Sequence, residues 1–152
     1  MIKKNLIKIL MILIFLSSCG YSPIFSKKNS SFSINKMIIS GDKTINKIIN
    51  SKLNNYKNLE GKNLFSLNIN SISIKSISSK DSKGNPKTYR INISSQVLVE
   101  NSNGKKTEKI FSKSFNYKND DDKSGLKKYE NKTTKNLAEK ISIEIINFLQ
   151  SI

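Results

Sequence analysis

An alternation of apolar and polar residues in the second half of the chain constrains the fold most. Between residues 89 and 99 every second residue is apolar or small, which is the pattern of a strand with one buried face. Residues 106–117 continue the pattern more loosely, with Phe111, Phe115 and Tyr117 on one parity. Gly104 lies in the short segment between the two. The pattern therefore predicts an antiparallel hairpin.

Two further strands are predicted upstream, over residues 32–39 and 64–77. In the longer one, Phe65 and its odd-numbered apolar neighbours share one parity, whereas Ile72 and Ile74 have the other. A slip of one residue changes the face of a strand, so the pattern predicts a β-bulge near Asn70 and Ser71. The last three strands should form an antiparallel meander.

Two amphipathic helices complete the pattern. The first follows Asp42, a candidate N-cap, and the second runs from Gly125 to the C-terminus. The apolar positions of the first helix recur at helical spacing, at Ile45, Ile48, Ile49, Leu53 and Tyr56. The expected fold is a two-layer α+β sandwich of order β-α-β-β-β-α, with a four-stranded, mostly antiparallel sheet and two helices on one face.

The first twenty residues determine where the domain resides. Residues 1–8 carry Lys3, Lys4 and Lys8, an unbroken apolar run follows over residues 9–16, and small residues lead to Cys19. The apolar run is shorter than a membrane span, so the segment is typical of a secretory signal peptide. Its end, Leu-Ser-Ser-Cys, resembles the bacterial lipobox, in which the cysteine is acylated after cleavage. The alternative is an ordinary signal peptide with an incidental cysteine.

Acylation would explain why an exported chain has a single cysteine and hence no internal disulfide partner. Two or more acyl chains hold a protein stably at a membrane, so Cys19 would anchor the chain without spanning. Gly20 follows, where enterobacterial lipoproteins retained at the inner membrane carry Asp. We therefore expect an outer-membrane lipoprotein with a cleaved signal peptide at 1–18, an acylated cysteine and tether at 19–31, and one domain at 32–152.

The chain is strongly basic, with a formal net charge of +16. Such an excess indicates a polyanionic partner, and export makes an anionic lipid or glycolipid a better partner than nucleic acid. Arg90 is the only arginine, and the abundance of Lys, Ile and Asn also fits drift toward AT-rich codons. A selected basic surface and codon drift on solvated faces both remain open.

Catalytic equipment is scarce. The chain has no histidine and no tryptophan, and its one cysteine is the expected acylation site. These absences remove thiol and histidine chemistry and most zinc sites. The acidic run from Asp120 to Asp122 lacks the spaced ligands of an EF-hand, so we expect a solvated turn rather than a calcium site. We expect no enzyme activity, no cofactor and no metal, although a hydrolase built on an unrecognised carboxylate pair is a further hypothesis.

Several short motifs resemble the LPS-assembly lipoprotein family, LptE, in particular its alphaproteobacterial branch. They are the opening Cys-Gly-Tyr-Ser-Pro-Ile-Phe at residues 19–25, the strand at 89–93, the strand end at 114–117, and Leu-Ala-Glu-Lys-Ile at 137–141. The resemblance implies a plug inside the outer-membrane β-barrel LptD that helps to pass lipopolysaccharide to the outer leaflet.

On that resemblance, the polar loop over residues 78–87 and the start of the next strand would contact lipid A phosphates. The candidate residues are Lys80, Lys83, Lys87 and Arg90. Ammonium groups bind phosphate as point charges, and the guanidinium can bind it bidentately. The alternative for these four is a solubilising loop. The alternative for the whole chain is a free-standing periplasmic lipoprotein that binds an anionic ligand or peptidoglycan.

Overall fold

The computed structural model describes residues 30–60 and 63–152, and it forms an α+β domain. Its elements are β1 (Phe32–Gly41), α1 (Lys43–Leu53), a 3₁₀ helix (Asn54–Tyr56), β2 (Asn63–Lys80), β3 (Pro86–Asn101), β4 (Lys106–Lys118) and α2 (Lys123–Ser151). The predicted signal peptide, Cys19 and most of the tether lie outside the described residues. The element order agrees with the prediction except for the additional 3₁₀ helix.

The four strands form one mixed sheet in the order β1-β2-β3-β4. The predicted meander is confirmed, since β2–β3 and β3–β4 are antiparallel. The prediction of a mostly antiparallel sheet is wrong, because β1 and β2 run parallel. The physical reason is the connection: α1 carries the chain back over the sheet, so β2 starts at the same end as β1.

Pairing of β1 with β2 stops at Gly41, which lies opposite Ser71. Gly41 has φ 94°, and a Cβ atom there would lie 2.0 Å from the Ser71 carbonyl oxygen. Only glycine fits where the chain crosses so close to this carbonyl group. The next backbone N–H group, that of Asp42, donates a hydrogen bond to the same oxygen at 2.7 Å. The chain then leaves the sheet, so β2 beyond Ser71 has β3 as its one described neighbour.

The β-bulge predicted near Asn70 and Ser71 is wrong. The β2–β3 register is continuous there, and its shifts lie instead between Ile77 and Lys80. Ile72 and Ile74 keep regular strand geometry and lie on the sheet face opposite the helices, 47% and 51% exposed. The prediction failed because it required every isoleucine to be buried, whereas folded proteins routinely expose apolar side chains.

Aspartate side chains start both helices. Asp42 Oδ1 accepts hydrogen bonds from the N–H groups of Thr44 and Ile45, at 2.8 and 3.0 Å. Asp122 Oδ1 accepts two at 3.0 Å, from the backbone of Ser124 and Gly125. Both satisfy N–H groups that have no partner within the helix. The acidic turn thus supplies an N-cap. The first helix ends at Leu53, before the 3₁₀ helix, although its predicted apolar stripe continued to Tyr56.

Both helices pack on one face of the sheet and against each other. The apolar stripe of α1 is buried as predicted at Ile45, Ile49 and Leu53. The core is completed by the inward-facing strand residues and by one side of α2: Phe32, Ile34, Phe65, Leu67, Ile69, Ile91, Ile93, Val97, Val99, Phe111, Leu137, Ala138, Ile141, Ile145, Ile146 and Leu149. The opposite face of the sheet carries no described element. No helix within residues 30–60 and 63–152 has the length and apolarity needed to span a bilayer.

Truncating the core face of α2 should destabilise the domain far more than truncating its outer face. Ile141 is fully buried, so Ile141→Ala should lower the free energy of unfolding by about 3 kcal/mol. Ile143, on the same helix, is 44% exposed, and Ile143→Ala should cost less than about 1 kcal/mol. Urea unfolding followed by circular dichroism measures both, and equal losses would contradict this packing.

Candidate functional site

The outer part of the β2–β3 hairpin is the candidate site, and we refer to residues 72–90 as the hairpin arm. It extends beyond the end of β1, so the edge of β2 that faces away from β3 has no described partner. An unpaired strand edge exposes backbone N–H and C=O groups. The arm therefore adds a third open edge to those of β1 and β4, the outer strands of the sheet.

A tight turn closes the arm. The Asp81 carboxylate accepts hydrogen bonds from the backbone N–H groups of Lys83 (2.9 Å) and Asn85 (2.8 Å). The backbone bond from Asn85 does most to lower the pKa of Asp81 below its ordinary value of 3.8. Gly84 adopts φ 85°, as the turn requires. The predicted ten-residue loop is thus only residues 81–85, because strand pairing extends to Lys80 and Pro86.

The four predicted cations all lie on the arm but do not share one face. Lys80 and Lys87 are strand residues, whereas Lys83 lies in the turn. Arg90 lies on the open face, where its Nε donates to Asn116 Oδ1 at 2.8 Å. Lys87 lies at the register shift between Thr88 and Pro86, so strand alternation does not assign its side chain to either face. Together they surround the end of the arm with positive charge.

Exposed isoleucines adjoin these cations, and sequence reasoning missed them as surface residues. Ile72 and Ile74 lie on the open face, and Ile77 lies on the other face at 48% exposure. Neither helix buries Ile77, although it lies on their side of the sheet. The available signal was the parity change within β2, which marks residues on both faces rather than a bulge. The arm therefore combines exposed isoleucines along its strands with positively charged side chains toward its end.

A polar cluster fixes the base of the arm to α2. Glu130 Oε1 accepts hydrogen bonds from Lys75 Nζ and from the Tyr117 hydroxyl, each at 2.6 Å. Lys75 Nζ also lies 4.2 Å from the centroid of the Tyr89 ring, within cation–π range. The Tyr89 and Tyr117 rings stack with centroids 5.8 Å apart. One glutamate thus joins β2, β4 and α2.

These contacts shift two pKa values. Burial alone would raise the pKa of the Glu130 carboxyl, but the hydrogen bonds from Lys75 and Tyr117 outweigh burial and lower it. Burial and the bond to Glu130 raise the pKa of Tyr117. Both shifts favour the same state at neutral pH, with Glu130 ionised and Tyr117 protonated.

The arrangement is suited to binding. Among the described residues no group of three or more His, Cys, Asp or Glu side chains could hold a metal ion. Both described hydrogen bonds to Glu130 Oε1 come from internal donors, Lys75 Nζ and the Tyr117 hydroxyl. What the arm presents outward is apolar surface and positive charge, which together match an amphiphilic anion.

Removing the charge of Glu130 should weaken the domain in a pH-dependent way. A carboxyl group whose pKa is lower in the folded than in the unfolded state stabilises the fold fully above the unfolded-state pKa. This stabilisation is lost as the pH falls through the folded-state pKa. Glu130→Gln should therefore cost about 1 kcal/mol at pH 7, an interaction moderated by the 45% exposure of Lys75, and almost nothing near pH 2. Urea unfolding across that range measures it. Asp121→Asn, in the exposed turn before α2, is the control, and a pH-independent loss of stability in Glu130→Gln would refute the electrostatic role.

The fold also occurs in solved bacterial lipoproteins. The chain is similar to rare lipoprotein B from Shewanella oneidensis, with 18% identity and a TM-score of 0.60 over 77% of this chain and 95% of that one. A minor lipoprotein from Acinetobacter baumannii matches with 8% identity and a TM-score of 0.58 over 79% and 93%. Uncharacterized lipoprotein B from Nitrosomonas europaea matches with 11% identity and a TM-score of 0.57 over 79% and 84%.

At these identities the likeness shows the fold alone. No protein-family model matches the chain, and no curated protein matches it in sequence. The described domain therefore has an α+β fold, with a four-stranded mixed sheet and two helices, that is found in bacterial lipoproteins.

Proposed function

We propose that this protein is an outer-membrane lipoprotein that acts as the assembly and plug subunit of a lipopolysaccharide translocon. It would be acylated at Cys19, would bind an LptD-type β-barrel, and would contact lipopolysaccharide through the hairpin arm. Its task is binding and positioning, without catalysis. The observation that carries the proposal is the arm itself, where exposed isoleucines adjoin four cations.

The chemistry of the arm fits a phosphorylated glycolipid. Ile72, Ile74 and Ile77 are about half exposed, and acyl chains could cover the apolar surface that they leave in water. Lys83 and Lys87 supply ammonium groups near the end of the arm, and Arg90 supplies a guanidinium on the open face. A ligand with acyl chains beside phosphates would engage both kinds of surface.

The open face of the sheet supports a protein partner. Its central rows carry mainly serine, asparagine and glutamine, interrupted by exposed isoleucines at Ile38 (50%), Ile72, Ile74 and Ile110 (63%). Short polar side chains with scattered apolar ones are suited to a broad, partly hydrated contact. We assign the part of this face below the arm, with Ile38 and Ile110, to the barrel, so that the arm with Ile72 and Ile74 projects along the barrel interior toward the lipid.

The fold likeness supports the lipid anchor only at the coarser level, since the similar solved structures are of lipoproteins. The finer assignment rests on the lipobox-like sequence that ends at Cys19. Acylation there would hold the domain at one leaflet, on the periplasmic side, within reach of a membrane-embedded partner.

Acylation is tested directly by metabolic labelling with a palmitate analogue. The wild-type chain should incorporate the label and fractionate with the outer membrane. Cys19→Ser should lose all of the label, because the chain has no other cysteine. Labelling that persists in Cys19→Ser, or an unlabelled wild-type protein, would remove the anchor.

Reversing charge on the arm should weaken lipopolysaccharide binding. Lys87→Glu combined with Arg90→Glu should raise the dissociation constant about tenfold or more at physiological salt, with unchanged circular dichroism. Lys128→Glu combined with Lys132→Glu makes the same change of charge on α2 and should leave the affinity within about twofold. Equal losses in the two variants would indicate a general charge effect rather than binding by the arm.

The barrel partner has its own test, in which the protein extracted in mild detergent is crosslinked and its neighbours are identified by mass spectrometry. Recovery of a large outer-membrane barrel, with loss of surface lipopolysaccharide on depletion, would support the translocon. A monomeric protein with normal surface lipopolysaccharide after depletion would favour the free-standing periplasmic lipoprotein instead.

A further inference from the structure

A groove runs between α1 and α2 on the outer side of the helix layer, and no arm residue lines it. Its volume is about 670 Å³. Ile48 lies in it and packs partly against the core. The other lining residues are polar or charged: Lys43, Thr44, Lys47, Ser51, Lys52, Lys135 and Glu139.

The charge of the groove is strongly unbalanced. Four ammonium groups face it against the single carboxylate of Glu139, and all five of these side chains are exposed. The three ion pairs found within the described residues lie elsewhere, at Lys75–Glu130, Lys106–Glu100 and Lys113–Glu144. Like charges that converge from two helices repel one another, so an anionic partner would stabilise the arrangement.

We infer that this groove is a docking surface for the anionic phospholipid headgroups of the membrane that carries the protein. Lysine is suited to this contact, because its compact ammonium binds a phosphate as a point charge without a fixed geometry. Each lysine near an anionic surface strengthens attachment by about fivefold. The Thr44 and Ser51 hydroxyls add hydrogen-bonding groups beside the lysines.

The position of the chain entry supports this occupant, in a step that rests on the proposed anchor at Cys19. β1 begins beside the 3₁₀ helix that continues α1, as the Phe32 and Tyr56 rings stack 4.9 Å apart. The twelve residues from Cys19 to Ser30 make eleven Cα–Cα steps and can span at most about 38 Å. With eleven residues, α1 is about 16 Å long, so the whole groove lies within reach of an anchored leaflet.

Docking through the helix layer would orient the anchored domain. The helices would lie toward the headgroups and the open sheet face toward the periplasm, an orientation of the anchored domain before it engages a barrel. The groove would thus bind the headgroups before the hairpin arm makes any contact, and independently of such a contact. The inference goes beyond the proposed function, since it concerns neither lipopolysaccharide nor the barrel.

Lysine footprinting on the full-length protein in vesicles tests this surface. The protein is reconstituted in phosphatidylcholine, or in equal parts of phosphatidylcholine and phosphatidylglycerol, and acetylated under single-hit conditions before peptide mass spectrometry. In the anionic vesicles, the groove lysines should be acetylated at about one third of their rate in phosphatidylcholine, or more slowly still. These are Lys43, Lys47, Lys52 and Lys135. High salt should abolish this difference in rate between the two vesicles. Lys36 in β1 and Lys105 in the β3–β4 turn, which lie outside both the groove and the arm, should react equally in both vesicles.

A matched pair of charge reversals provides the control. Lys47→Glu with Lys135→Glu should remove the phosphatidylglycerol-dependent protection of Lys43 and Lys52, whereas Lys36→Glu with Lys105→Glu should retain it. Equal protection of the groove lysines and of Lys36 and Lys105, or none at either, would overturn the assignment. So would protection of the groove by millimolar inorganic phosphate in pure phosphatidylcholine, which would indicate a small-anion pocket. Neither lipopolysaccharide nor a barrel is present, so failure here leaves the translocon proposal standing.

Discussion

The pairing between β1 and β2 ends nine residues before β2 does, and the candidate site exists because of that difference. Gly41 permits the chain to cross the Ser71 carbonyl and leave the sheet, and Asp42 then starts α1 at once. Had β1 continued, it would have covered the edge of the hairpin arm. The glycine crossing therefore separates a fully packed body from an arm with an open strand edge and isoleucines on both faces.

The arm stays in place through polar contacts as much as through apolar burial. Ser71 and Ser95 hydroxyls form a buried hydrogen bond of 2.9 Å at the boundary between body and arm. Further out, Glu130 bonds Lys75 and Tyr117, and the stacked rings of Tyr89 and Tyr117 supply the remaining packing. Such a cluster positions a strand pair while leaving most of its surface uncovered, which suits the ligand contact that we propose for the arm.

Much of the body could be predicted from the sequence, because its signals are local. The alternation along β3, the stripe of α1 and the Asp42 cap each depend on a few neighbouring residues. The parallel pairing of β1 and β2 is a property of their connection, and a single helix between two strands of one sheet favours it. The predicted order of elements, with one helix between the first two strands, contained this signal. The apolar and polar pattern within each strand does not contain it.

The hairpin arm was harder to predict for two reasons. Its polar residues, such as Ser79 and Lys80, carry no strand signal, and cross-strand pairing to Thr88 and Pro86 decides their conformation. The parity change at Ile72 suggested a bulge, since the length of β1 relative to β2 cannot be read from either segment alone. Convergence of lysines from two helices on one groove likewise depends on tertiary packing.

The unequal length of the strands also divides the molecule mechanically. In the body, the backbone of β2 pairs with strands on both sides, but beyond Ser71 it pairs with β3 alone among the described strands. Peeling the outer arm would break one ladder and expose little core, so its amides should exchange with solvent by local fluctuations while those of the body await global unfolding. The domain can thereby adapt the shape of its contact surface to a partner without loosening its own centre.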